Sequence, residues 1–128
     1  MKTLFGTDGI RGRAYEPPLD EDTVRRLGAA LARDLAEEHR APRILLAGDT
    51  RASTIDLAEW IASSTRAAGA SVVWGGVLPT PAVSQLCRMG EFSAGIVISA
   101  SHNPAHDNGI KILGPNGEKL EDSLENHI

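Results

Sequence analysis

A chain of 128 residues is large enough for one hydrophobic core and too small for two, so a single domain is expected over residues 1–128. Its net charge of −4 argues against the basic face on which nucleic-acid binders depend, so positive charge should matter locally. No cationic leader opens the sequence and no apolar run approaches membrane length, which points to a soluble, cytoplasmic protein without membrane partners.

Thr3-Leu4-Phe5 is a short apolar segment running into Gly6-Thr7-Asp8-Gly9-Ile10-Arg11-Gly12. Glycine at every third position predicts a loop that can wrap closely against a ligand or another loop. It is not a Walker A motif, because the G-K-[ST] ending is missing. Pro17-Pro18 closes the loop, and Asp20 is a plausible N-cap with Glu21 and Asp22 in the first turn. Val24, Leu27, Leu31 and Leu35 then recur at helical spacing, predicting a first helix of about 18 residues with His39 near its end.

Arg43 to Gly48 is a nearly continuous apolar run, as expected of a strand covered on both faces, and it ends in the polar Asp49-Thr50-Arg51. Ser53-x-x-Asp56 reads as a capping box for a second helix through Ala68, with Gly69 closing it. Ser71 to Gly75 is the next strand, Pro79-Thr80-Pro81 the next loop and Ala82 to Met89 a third helix. The single cysteine, Cys87, lies in that helix as a packing residue and has no partner for an internal disulfide. Gly95 to Ile98 is a third strand, Asp107-Asn108-Gly109 a tight-turn signal, and Ile110 to Leu113 a fourth strand. Pro115-Asn116-Gly117 is a turn, and Glu121 to His127 begins another helix. This alternation predicts an α/β three-layer sandwich with a mixed, mainly parallel four-stranded sheet. Numbering the strands from Arg43, the expected order is 2-1-3-4, with the last strand antiparallel.

The run Gly95-Ile96-Val97-Ile98 breaks abruptly into Ser99-Ala100-Ser101-His102-Asn103-Pro104, so a buried strand delivers a polar loop at its carboxyl end, where α/β sheets keep their chemistry. Pro104 pushes Asn103 toward extended geometry and keeps the loop from becoming a helix. Ser, His, Asn and Pro are also ordinary turn residues. A serine, an imidazole and the Lys111 ammonium gathered by adjacent loop ends nevertheless suit a phosphate better than water. A Ser-His-Asp hydrolase is the rival chemistry. Against it, Ser101 and His102 are sequence neighbours whose side chains diverge on an extended loop, and the G-x-S-x-G elbow is absent.

I-S-A-S-H-N-P at residues 98–104, followed by D-N-G-I-K at 107–111, resembles the phosphoserine loop and adjoining strand of the α-D-phosphohexomutases, most closely their bacterial phosphoglucosamine mutase branch. F-G-T-D-G-I-R-G at 5–12 is similar to the opening signature of that branch, and Gly48 to Arg51 resembles a further family element. The resemblance implies that Ser101, not Ser99, carries the phosphoryl group and gives it to a phosphorylated hexose or hexosamine. The bisphosphate then turns round, and the serine takes back the other phosphate. Arg11 and Lys111 would supply positive charge, and His102 would orient groups or assist proton movement. Asn103 and Arg51 would bind substrate or phosphate, with a loop-shaping salt bridge as the competing role for Arg51. The reaction implied is interconversion of glucosamine 6-phosphate and glucosamine 1-phosphate, with phosphomannomutase or phosphoglucomutase as substrate variants.

Mg2+ is expected on the Ser101 phosphate, with its other ligands outside this chain. The resemblance spans the whole sequence but corresponds to the first of four domains. The family's D-G-D-x-D-R magnesium loop is missing, and Asp8, Asp49 and Asp107 do not replace it by spacing. The remaining domains of the same enzyme are therefore expected partners, and the chain alone should not turn over. A standalone phosphoserine-bearing or anion-binding module is the alternative from a different functional class.

Overall fold

Aliphatic and β-branched runs build a five-stranded open sheet in a computed structural model that describes residues 9–90, 92–100 and 103–118. In chain order the elements are β1 (Ile10–Arg13), α1 (Glu21–Ala36), β2 (Arg43–Gly48), α2 (Thr54–Ala67), β3 (Ser71–Val77), α3 (Thr80–Arg88), β4 (Ala94–Ile98) and β5 (Asp107–Leu113). The sheet order is β1-β5-β4-β2-β3. The relative order of the four predicted strands is the one observed, and β5 is antiparallel to β4 as expected.

Three expectations need correction. The sheet has five strands, because part of the predicted glycine loop is β1, which pairs antiparallel with β5. It is evenly mixed, since β2 pairs in parallel with β3 and β4 while β5 pairs antiparallel with β4 and β1. Asp107-Asn108-Gly109 is not a turn but the first part of β5, matched to Arg13, Gly12 and Arg11 of β1. The physical reason is shared: each segment supplies the ladder partners the other lacks, and Asn108, fully buried, satisfies its amide on the hydroxyls of Ser53 and Thr54 at 2.8 and 3.1 Å. The predicted segments at Thr3–Phe5, Gly6–Asp8 and Glu121–His127 lie outside the described residues, as do Ser101 and His102.

Alternation along the strands divides the core into two clusters on opposite sheet faces. Ile44 and Leu46 of β2, Ile96 and Ile98 of β4, Ile110 and Ile112 of β5 and Ile10 of β1 join Leu27, Leu31, Leu57 and Ile61 of α1 and α2. Leu45, Ala47, Val97 and Leu113 face Val83 and Cys87 of α3. Burial pushes the Cys87 thiol above its ordinary value, consistent with a packing residue.

The helix ends follow the sequence in two cases and depart from it in one. Asp20 caps α1, its Oδ2 accepting from the Thr23 backbone N–H at 3.2 Å. Gly69 closes α2 at φ 102°: its N–H donates to Arg66 O and that of Ala70 to Thr65 O, the paired bonds of a Schellman motif. Ser53 precedes α2 without capping it. Its backbone is already helical, and its hydroxyl accepts from Asn108 instead. Among the described residues no helix is long and apolar enough to cross a membrane.

Candidate functional site

The carboxyl ends of β1, β2, β3 and β4 and the start of β5 lie along one edge of the sheet, as the pairing directions require. The loop from β4 to β5 rises from that edge, and the loop from β2 to α2 stands beside it. Opposite residues in an antiparallel ladder share a face, so the register shows which side chains meet.

Arg11 lies opposite Gly109, and Lys111 lies opposite Val97. Val97 belongs to the α3-side cluster, so Lys111, Gly109 and therefore Arg11 point to that same face. Arg11 and Lys111 are diagonal neighbours there, a spacing of roughly 7–8 Å within reach of long side chains. Ser99 continues the row, its N–H donating to Gly109 O at 3.0 Å. Gly109 makes the close approach possible: a Cβ there would stand 2.7 Å from Ser99 O, 2.9 Å from Ile10 O and 3.1 Å from Arg11 Cγ. The helix on this face, α3, packs mainly on β4 and β2, and both cations are half-buried. A cleft of about 310 Å³ adjoins, lined by Gly48, Asp49, Leu78, Thr80, Val97 and Ser99.

The sequence singled out Arg51 and Asn103, and the structure brings them together. Arg51 Nε donates to Asp49 Oδ2 at 2.9 Å, Nη1 to the carbonyls of Pro104 at 2.6 Å and Asp107 at 3.3 Å, and Nη2 to the carbonyl of Asn103 at 3.0 Å. The side chain of Asn103 joins both sides of the loop. Its Oδ1 accepts from Arg11 Nη1 at 3.2 Å, and its Nδ2 donates to Asp107 Oδ2 at 3.1 Å. Arg51 thus makes the loop-shaping salt bridge that was one of its two expected roles.

Asp49, Thr54, Asn108 and Ser53 form the support that sequence reasoning missed. Asp49 accepts from the Arg51 backbone N–H at 3.1 Å and the Thr54 hydroxyl at 2.9 Å. An aspartate bonding the N–H two residues on is an Asx-turn, and Asp49-x-Arg51 followed by Thr54 is the signal that could have revealed it. Asn108 was hidden inside a turn-like tripeptide.

Residues 2–128 match the family model for phosphoglucomutase/phosphomannomutase, alpha/beta/alpha domain I. The chain belongs to this family. As a domain I it is 51% identical over 124 residues to phosphoglucosamine mutase of Solibacter usitatus, covering 97% of this chain and 28% of that protein. It is 47% identical to phosphoglucosamine mutase of Thermus thermophilus, covering all of this chain and 29% of that protein. A crystal structure of a second protein, also from Thermus thermophilus and provisionally assigned as a phosphomannomutase, superposes with a TM-score of 0.86 at 27% identity, covering 98% of this chain and 30% of that one. The chain thus spans under a third of the length of these relatives.

Members of the family generally use Mg2+, and the described residues of this domain I do not build a site for it. No group of three or more His, Cys, Asp or Glu side chains among them could hold a metal ion, and the Asp49 carboxylate is taken up by Arg51 and Thr54.

Proposed function

We propose that this chain is the phosphoserine-bearing domain of a phosphoglucosamine mutase that interconverts glucosamine 6-phosphate and glucosamine 1-phosphate in the cytoplasm. The observation that carries this reading is the meeting of Arg11 and Lys111 on one sheet face beside the end of β4, from which the Ser101 loop departs. A phosphoserine carries up to two negative charges, and two cations delivered by distant parts of the sequence are what such a group requires. The names borne by the relatives at 47–51% identity favour glucosamine as the sugar.

In this reading the Oγ–phosphorus bond of phospho-Ser101 breaks as a substrate hydroxyl oxygen bonds to phosphorus. The hydroxyl proton leaves by way of His102 or water, and the second transfer runs in reverse from the other end of the sugar. Arg11 and Lys111 neutralise the moving phosphoryl group, which needs charge stabilisation and alignment more than covalent help. Magnesium would add to that neutralisation from ligands in the rest of the enzyme. The other domains of the same polypeptide are the partners in this reading, and domain I alone does not turn over. The structural similarity at 27% identity supports a phosphomannomutase as the second reading.

The test uses the full-length parent with glucosamine 6-phosphate, mannose 6-phosphate and glucose 6-phosphate. Phosphopeptide mapping should find phosphate on Ser101, and Ser101→Ala should remove both the modification and turnover. Each charge-assisted contact is worth roughly 1.5–3 kcal/mol, so Lys111→Met and Arg11→Met should lower turnover about tenfold or more. Arg43→Met is the control: Arg43 opens β2 at the opposite sheet edge, stacked 4.8 Å over the Phe92 ring. Phosphate confined to Ser99, or wild-type kinetics in both Met variants, would end this reading. Preference for mannose 6-phosphate would transfer it to the second.

A further inference from the structure

Arg51 is 12% exposed and, among the described residues of one short loop, grips the main chain at three points. The carbonyls of Asn103, Pro104 and Asp107 turn toward a single guanidinium, whose planar fork can serve divergent acceptors at once. A lysine ammonium, a single point on a flexible stem, cannot hold that geometry. The nearest anchored carbonyl, that of Asn103, lies two residues after Ser101 in the chain. Asn103 is gripped through its backbone by Arg51, while its side chain takes a hydrogen bond from Arg11. Any shift of this gripped main chain therefore moves the acceptor for Arg11 with it.

The grip is itself anchored. Asp49 holds Arg51 at Nε and at the backbone N–H, and Thr54, the first residue of α2, holds Asp49. Asn108 of β5 donates to Thr54 in turn. A continuous path thus runs from the first turn of α2 through Asp49 and Arg51 to the loop and Arg11. We propose that Arg51 is a positioning residue for phosphoryl transfer, fixing the main chain that carries Ser101, and that Asp49 fixes Arg51. This rests on the mutase reading above. Misplacing a reacting group by about 1 Å can cost on the order of 100-fold in rate, so a loosened grip should act on the chemical step and leave sugar binding nearly unchanged.

The experiment is steady-state kinetics on the full-length enzyme with glucosamine 6-phosphate, comparing wild type, Arg51→Lys and Asp49→Asn. Arg51→Lys should lose at least about tenfold in kcat with KM within roughly twofold, because charge is kept and the fork is lost. Asp49→Asn, nearly isosteric, should lose roughly three- to tenfold in kcat with the same KM pattern, and it carries the test if Arg51→Lys fails to fold. If Arg51 instead acted as a charge on the sugar phosphate, lysine would rescue kcat, or KM would rise. Either result overturns the positioning role, as would wild-type kcat in Asp49→Asn. A wild type that turns over beside kinetically silent variants removes this role alone. A wild type without turnover removes the mutase reading and this role with it.

Discussion

Asp49 shows how one carboxylate can hold a loop. Burial alone would raise its pKa, but hydrogen bonds from the Arg51 backbone N–H, the Thr54 and Ser99 side chains and the Arg51 guanidinium outweigh it and hold the group below its ordinary 3.8. A carboxyl depressed in the folded state stabilises that state fully above its unfolded pKa, and this contribution fades as pH falls through the folded value. The protein should therefore lose thermal stability on acidification from just above pH 3.8 downward. Asp49→Asn should flatten this acid limb in melting temperature measured against pH. An unchanged slope would mean that the network around Asp49 contributes nothing to stability. At this scale the sequence showed which polar residues stand at strand ends, but not their division of labour. Arg51 was legible as a cation at the carboxyl end of a strand. That it serves backbone carbonyls was not, because carbonyl positions leave no trace in residue identity.

The pairing of β1 with β5 is where local sequence signals misled most. β1 has four residues and a single fully buried apolar side chain, Ile10, so it offers no alternation to read. Asp107-Asn108-Gly109 has the composition of a hairpin turn, and its strand conformation is set by a partner a hundred positions away. By contrast β2 and β4, buried on both faces, and α1, with its apolar stripe, carry their own signals and were found with their boundaries nearly in place. Gly109 is present because the neighbouring strands approach too closely for a Cβ, not because the chain turns there. Both nearest atoms are backbone oxygens, which cannot swing aside. Gly109→Ala should therefore cost roughly 1–3 kcal/mol, the usual range for overpacking. Urea unfolding of the chain measures it, and a midpoint equal to wild type would show that β1 and β5 can separate without penalty.

At the scale of the whole molecule, the two clusters divide the work. The face under α1 and α2 holds most of the buried aliphatic residues, while the other face carries α3 at one side and Arg11 with Lys111 at the other. Architecture of this kind followed from the repeated strand-loop-helix pattern. The fifth strand did not, for the reason just given. The pairing distances also order the assembly of the fold in time. β4 meets β5 through a short connection, Ile98 opposite Ile110, and β2 meets β3 across one helix. Ile10 must find Ile110 across a hundred residues, a closure that would cost about 4 kcal/mol in the unfolded chain, so this pairing waits until folding of the intervening elements has shortened the loop. Pulse-labelling hydrogen exchange during refolding should find β2, β3 and β4 protected first and β1 last; simultaneous protection would refute the sequence of events. A newly made molecule would then pass through an interval in which its core is largely formed while Arg11 has yet to arrive, and only completion of the sheet's last edge would end it.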